Sequence, residues 1–302
     1  MSKQMKLADL TPGARAAVEQ KAITGGWDGR SLVKLLGELE RWDNMAEERK
    51  ARAKRVFLAG VIGSVAGFFL MFVVSAVMEE FLWGLPLFLA PLGVLFAGIK
   101  MKKAARAIDL PNELRVSLRP VLRQLSQDLH PEEKIKVTLN LAGIDENKCA
   151  GKKDLPIWGR NRRVTQSTYE EELCSLRMPL TDGGEAVLRM ENTFVKVERS
   201  YTSTRGKSKS KTKWKKLSTV TAMLVPAVRI NWEAGRGGPA AKRDFEKLSF
   251  VEKNGVMAAR LDRYYKFKAA DEAPGAAVPG TEIVAMFVRL AAMRPQAAGG
   301  AR

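Results

Sequence analysis

Between Arg205 and Lys216 the chain reads RGKSKSKTKWKK, with lysine at every second position: Lys207, Lys209, Lys211, Lys213 and Lys215. Ser208, Ser210, Thr212 and Trp214 take the alternate places. Period two is the period of a β-strand. An extended conformation therefore sends five ammonium groups to one face, about 6.8 Å apart. Such a row breaks no bonds; its chemistry is to grip a chain of negative groups. Phosphates repeat at about 3.4 Å along one strand of a duplex and farther apart on a stretched single strand, and the ladder meets either register loosely. Lysine is a point charge without a bidentate fork, so contact is with the backbone and not with base edges. A turn at Arg205-Gly206 brings Lys196 and Arg199 alongside, and residues 193–216 then hold nine Lys or Arg against one acid, Glu198. The expected polyanion-binding set is Lys196, Arg199, Arg205, Lys207, Lys209, Lys211, Lys213 and Lys215. Trp214 and Tyr201 are candidate platforms for unpaired bases, with packing of the sheet as the other role for each. Without a ligand, neighbouring ammoniums repel by about 0.6 kcal/mol at the dielectric of water, a cost that a solvated basic hairpin tip tolerates. Anionic lipid is a further partner for such a row, at about 1 kcal/mol per lysine near the surface.

Other reactive side chains form no constellation. One histidine, His130, excludes a His-based metal cluster and argues against a Ser-His-Asp hydrolase; before Pro131 at a helix end it reads as a capping residue. Cys149 and Cys174 cannot make a disulfide framework, which fits a reducing compartment. Cys174 alternates in phase with Leu176 and Met178, so it reads as a small core hydrophobe; Cys149, in a polar loop with Lys148 and Lys152, is a candidate reactive thiol but has no obvious base. Glu170, Glu171 and Glu172 lie in a strand pattern and alternate faces, unlike a pair held for acid–base work. The glycine-rich AGRGGPAA loop at 234–241 lacks P-loop spacing. No catalytic residue, metal or cofactor is expected.

Of 302 residues, 51 are Lys or Arg and 33 Asp or Glu, a net charge of +18. An excess of that size points to nucleic acid, an anionic membrane face or an acidic partner.

Two apolar runs must anchor this charge. Residues 56–78 contain no charged side chain, and after Glu79-Glu80 neither do residues 81–99. As helices they span about 34 and 28 Å, enough to cross a hydrocarbon core of about 30 Å. Basic residues flank the pair (Arg49, Lys50, Arg52, Lys54 and Arg55 before; Lys100, Lys102, Lys103 and Arg106 after) and the turn has only acids. The positive-inside bias predicts a transmembrane hairpin with both termini in the cytoplasm. The hydrophilic first 55 residues argue against a cleaved leader, so the first span is itself the insertion signal. Ala59, Gly63 and Gly67 form a small-xxx-small face that serves either packing within the hairpin or self-association into a ring. Pro86 and Pro91 are expected to bend the second span. With no ionisable group in either span, a pore would be closed by apolar side chains, and Glu79 and Glu80 would form a cation-favouring ring at its outer mouth.

The organisation follows. Residues 1–55 read as a cytoplasmic helical arm. A short helix opens at Thr11-Pro12 and runs to about Ala22, and Gly25-Gly26 interrupts it. A second, with Leu32, Leu35, Leu36, Leu39 and Trp42 on one stripe, runs unbroken into the first span. Residues 56–100 are the hairpin. Residues 108–294 form a mostly antiparallel β domain with a helix at each end. Leu114–Leu129 is a helix bent at Pro120, and strands are expected at 134–141, 171–178, 185–190, 194–204, 207–225, 228–232, 247–252 and 256–267. Asp182-Gly183-Gly184 and Asn254-Gly255 are hairpin turns, and Thr281 caps a last helix, Glu282–Met293. Residues 295–302 read as a disordered tail. The fold class is a membrane α+β protein.

In this order of parts — Leu114–Leu129, then Leu180-Thr181-Asp182-Gly183, then Gly206–Lys213 as Gly-Lys-x-Lys-x-Lys-x-Lys — the chain resembles a family of uncharacterised bacterial two-span proteins, from the hairpin through Pro226. More loosely, its layout is similar to that of membrane effectors of bacterial anti-phage systems, among them the Hailong channel effectors, which a single-stranded DNA product controls. The resemblance implies an inner-membrane homo-oligomer of four or more copies, gated by single-stranded nucleic acid on the ladder. The charge pattern alone also suits a membrane-anchored, non-enzymatic scaffold for acidic lipid or protein.

Overall fold

The computed structural model describes residues 7–78, 81–144, 148–157, 159, 161–204, 206–230, 232, 246–268 and 277–294. Glu79, Glu80, Arg205, the 234–241 loop and the 295–302 tail, each singled out above, lie outside the described residues. The chain divides into two compact units: Met1–Leu10 with Glu38–Leu110, and Thr11–Gly37 with Pro111–Arg302. The arm of residues 1–55 is therefore not a unit of its own, because its residues 11–37 fold with the sheet.

Helices α2 (Gly29–Met78), whose residues from Glu38 onward belong to the first unit, and α3 (Phe81–Ala107) form a hairpin. The stripe of α2 does run on into its apolar run without a break. Both helices are long and apolar enough to cross a membrane, with mean hydropathy of 2.4 and 1.5 over their best windows. Trp42 donates its indole N–H to the Ile108 carbonyl (3.2 Å), and Lys50 meets Asp109 (2.5 Å) and Glu47 (2.9 Å). These contacts tie the returning end of α3 to α2. Burial alone would lower the Lys50 pKa, but its two carboxylate partners raise it.

Small residues decide how closely the two helices approach. A methyl group on Gly60 would sit 2.6 Å from the Leu95 backbone, one on Gly67 would collide with the Leu87 carbonyl, and Gly63 faces Pro91. The close-packed row is Gly60, Gly63 and Gly67, continued by buried Met71. Ala59, expected in that row, is exposed. At one residue off, it points about 100° away from Gly60. Of the two uses weighed for the small face, packing within the hairpin is the one this geometry fills. Pro86 and Pro91 lie inside α3 without ending it.

The second unit is an eight-stranded antiparallel sheet: β1 (Ala22–Trp27), β2 (Ile135–Asn140), β3 (Gly151–Asp154), β4 (Asn161–Pro179), β5 (Glu185–Thr202), β6 (Ser208–Val225), β7 (Glu246–Lys253) and β8 (Val256–Lys268). Its order is β1-β2-β4-β5-β6-β8-β7, with β3 also paired to β4. Helices α1 (Pro12–Gln20), α4 (Arg119–Leu125) and α5 (Gly280–Ala292) complete it. One face is apolar: Leu139, Cys174, Leu176, Met178, Leu188, Met190, Val220, Ala222, Leu224 and Leu261 are buried there. Alternation writes this face into the sequence, since Val220, Ala222 and Leu224 recur at period two.

Several expectations shift. Residues 22–27 form edge strand β1, paired with β2, where a glycine interruption was expected. Lys21 at φ 53° ends α1 and turns the chain into it. The expected strands at 185–190 and 194–204 are one strand, β5, and β4 begins ten residues earlier than expected. Among the described residues no strand covers 228–232. The helix over 114–129 is a π turn at Leu114–Leu118 followed by α4, which ends at Leu125. Pro120 has no N–H for the α ladder and its ring crowds the preceding turn, which widens it. The last helix starts at Gly280 after Pro279, so Thr281 is not its cap. A side chain at Gly280 would meet the Ser117 carbonyl and Pro120, each at 2.8 Å, so only glycine lets α5 seat on the widened turn. Both hairpin turns form as expected. Asn254 (φ 53°) and Gly255 (φ 78°) have the paired left-handed conformation of a type I′ turn.

Candidate polyanion interface

Strand β6 pairs with β5 along its whole length, from Thr202↔Ser208 to Glu185↔Val225, with no shift of register. Strand β8 reaches only Lys215–Leu224 of β6. The outer part of β6 thus runs past the helix-covered core in an arm formed with β5, β4 and β3. The turn into it is tied by the Ser203 N–H donating to the Lys207 carbonyl (2.8 Å).

Odd-numbered residues of β6 occupy one face. Lys209, Lys211, Lys213 and Lys215 are exposed there, and Lys207, also exposed, precedes the strand. Among the described residues no carboxylate forms an ion pair with any of these five. Opposite them on β5 lie Tyr201, Arg199, Val197 and Val195 in turn. Arg199 is exposed and extends the row sideways beside Lys211; Val197 is buried, consistent with lysine stems covering it. On β8, Lys266 stands opposite Leu217 on the same face. Toward the core the charge reverses: Glu170, Glu172 and Glu191 share this face, with Arg189 bridging Glu172 (3.1 Å) and Glu191 (2.7 Å). A polyanion on the arm therefore meets a cationic surface bounded by acids at its root.

No family model matches the chain, and neither does a curated protein or a solved structure.

Two residues expected at the site stand elsewhere. Lys196 is opposite Trp214, on the other face, where its ammonium lies 5.5 Å from the Trp214 ring and pairs with Glu198 at 3.1 Å. A one-residue step along β5 separates it from Arg199's parity. Trp214 itself packs 5.8 Å from Tyr169. Of the two stacking candidates, only Tyr201 is beside the ladder, opposite Lys209.

Sequence reasoning also missed a buried polar cluster at the foot of the ladder. Lys216 is 2% exposed and pairs with Glu113, itself 5% exposed, at the start of the π turn. Asn192 donates to the same Glu113 oxygen (3.2 Å), and Ser218 donates to Asn192 (2.7 Å). Phe194 and Phe267 wall the ammonium at 5.7 and 5.9 Å. Glu171 lies nearby, accepting from Asn140 (3.2 Å). Burial first, then the Glu113 carboxylate, push its pKa up to about 7, against the opposing pull of Lys216. The signal was the phase of β6: extending Val220, Ala222 and Leu224 backward by twos arrives at Ser218 and Lys216.

The remaining candidates carry no reactive arrangement. Cys174 is buried and its pKa is pushed up by that burial. Cys149 is exposed, its thiol on the Gly151 carbonyl at 3.2 Å. His130 Nδ1 accepts the Glu132 N–H (3.3 Å). Among the described residues no metal-binding group of acids, Cys and His occurs.

Proposed function

We propose that this chain is a membrane-anchored receptor for an extended polyanion, a single strand of nucleic acid, held by its phosphates along Lys207–Lys215 with Arg199 beside them. One observation carries the reading: five exposed lysines, unpaired by any described carboxylate, share one face of a strand. Their stems can lie along apolar surface such as Val197, but the evenly spaced ammonium heads are left to the solvent, or to a ligand that carries a row of negative groups. Anchoring is supported by the outward apolar surface of α2 and α3, where Ile62 is 61% and Val77 75% exposed. Soluble monomers rarely show so large a contiguous apolar area, and lipid covers it without cost. In its widest form the reading is a bacterial inner-membrane effector of antiviral defence, with hairpins assembled four or more together as a channel and the sheet unit in the cytoplasm. Ligand gates such a channel only by binding its open and closed states unequally.

Oligonucleotide binding measured across a salt series tests the receptor. A single strand held by these five lysines has a log–log slope of about −3.5. Reversing Lys207, Lys209, Lys211 and Lys213 to Glu abolishes binding and, for a channel, alters conductance in liposomes. Unchanged binding in that variant rules the reading out. A second reading, a non-enzymatic scaffold for acidic lipid or protein, draws on the Gly60/Gly63/Gly67 row being filled within its own hairpin, which leaves that row no part in a ring. Mass in detergent separates the two: four or more copies for the channel, one or two for the scaffold.

A further inference from the structure

The close packing of α2 against α3 fixes how their charged ends line up. A methyl group on Gly98 would lie 2.7 Å from the Phe57 nitrogen, and one on Gly60 would lie 2.6 Å from the Leu95 backbone. With the helices antiparallel, this register puts Arg55 level with Lys100, and Arg52 level with Lys103. All four side chains are exposed. Arg52 and Arg55, like Lys100 and Lys103, are three residues apart, so each pair shares a flank of its helix and spans about 4.5 Å along the axis. The apolar surface starts directly inside this level, where Phe57, Leu58 and Ile99 are exposed. No acid occurs from Arg49 to Met78 or from Phe81 to Ile108. The two apolar runs therefore end at one depth, in a thin cationic layer drawn from both helices.

We infer that Arg52, Arg55, Lys100 and Lys103 form a binding layer for the phosphates of anionic phospholipids. This assignment rests on the membrane anchoring proposed above and is independent of the ladder. A ligand for the layer needs two parts: a negative group level with the cations, and a hydrocarbon tail against Phe57, Leu58 and Ile99. A phospholipid has both, joined in that order, whereas a soluble polyanion supplies only the first. A zwitterionic headgroup brings its own ammonium beside the phosphate, and cations with no acid among them repel it. An anionic headgroup carries no such ammonium. Arginine adds a planar fork that takes two phosphate oxygens at once, and the long lysine stems lift their ammoniums from the apolar boundary to the headgroups. Each cation near an anionic lipid surface is worth about fivefold in binding. Four of them make the anchor prefer anionic over zwitterionic lipid, at the depth that the Gly60 and Gly98 contacts set.

The test is lipid retention by the full-length protein in an uncharged detergent, counted by native mass spectrometry as phosphatidylglycerol or phosphatidylcholine is added. Three proteins are compared: wild type, Arg52→Gln/Arg55→Gln/Lys100→Gln/Lys103→Gln, and the ladder reversal Lys207→Glu/Lys209→Glu/Lys211→Glu/Lys213→Glu. Wild type should retain phosphatidylglycerol at least about tenfold more tightly than phosphatidylcholine, and the ladder reversal should keep that preference. The Gln variant should bind both lipids alike, with its helix content unchanged by circular dichroism. At about 1 M salt the screening length is about 3 Å, so the wild-type preference should fall severalfold, a readout that needs no variant. Four results each overturn the inference and leave the anchor standing: equal retention of the two lipids by wild type, a preference unmoved by salt, a preference that survives in a helical Gln variant, or its loss in the ladder reversal. A wild-type protein that stays soluble without detergent and takes up neither lipid sinks the anchoring reading itself.

Discussion

Strand β6 has two halves with different surroundings. From Ser208 to Lys215 its lysines stand in water without described partners; from Lys216 to Val225 its even-numbered residues are buried beneath the helical layer. Lys215 and Lys216 are adjacent, yet one ammonium is exposed and the other is 2% exposed, held by Glu113 between two phenylalanine rings. The difference teaches that a lysine count does not measure a polyanion site. A charge that the fold has already answered is a structural part, while an unanswered one is open to a ligand. Substitutions that treat the two halves alike in sequence should therefore separate them in effect.

The largest effect is expected at the buried pair. Lys216→Ala leaves the buried Glu113 carboxylate, to which Asn192 still donates, without its countercharge, a loss of about 3–5 kcal/mol. Thermal unfolding followed by circular dichroism measures it. The double variant Glu113→Leu/Lys216→Met should recover most of that loss, because a well-packed apolar pair replaces an ion pair at little net cost. If Lys216→Ala proves as mild as a surface change, the two halves are not distinct.

The next effect depends on pH. Glu171 holds its proton more tightly in the folded chain, at about 7 against an ordinary 4.5, because it is half-buried and lies near the Glu113 carboxylate. Below about pH 4.5 it is protonated in both states and costs nothing. Between that pH and the folded value the unfolded chain ionises while the folded chain keeps its proton, so stability falls across that window, by an amount on the order of 2–3 kcal/mol in all. Glu171→Gln keeps an acceptor for Asn140 and removes the penalty. Its gain should be absent at pH 4, appear between pH 5 and 7, and be complete at pH 8. A gain that is the same at pH 4 and pH 8 would show that Glu171 carries no titrating penalty.

How much of this contrast was legible beforehand follows the physics of each part. The ladder, the two apolar helices and both hairpin turns are local patterns, and period two, uninterrupted apolar length and Asn-Gly each point to one conformation. Strand β1 was not legible, since Ala22–Trp27 contains two glycines and has strand character only through pairing with β2. Nor was the face that Lys196 takes: the lysines of β5 and β6 look alike in sequence, and the register of the hairpin decides which share a side. The partner of Lys216 is 103 residues away, at Glu113, and no local pattern reports it.

The smallest effect is the one that sharpens the comparison most. Lys211→Ala removes an exposed ammonium that no described carboxylate answers, in the middle of the arm, with Arg199 opposite and Lys209 and Lys213 about 6.8 Å away on the same face. Surface substitutions of this kind stay within about 0.5 kcal/mol, and losing a like-charge neighbour on both sides tilts the change toward stabilisation. Binding should respond in the other direction. If each lysine meets one phosphate of a single strand, losing one flattens the log–log salt slope by about 0.7 and weakens affinity alike for every base sequence. Stability and affinity then move oppositely at Lys211 and together at Lys216, where unfolding removes the site itself. A Lys211→Ala protein that is less stable and keeps the full salt slope would place that ammonium among the structural lysines, and the boundary between the halves of β6 would shift outward.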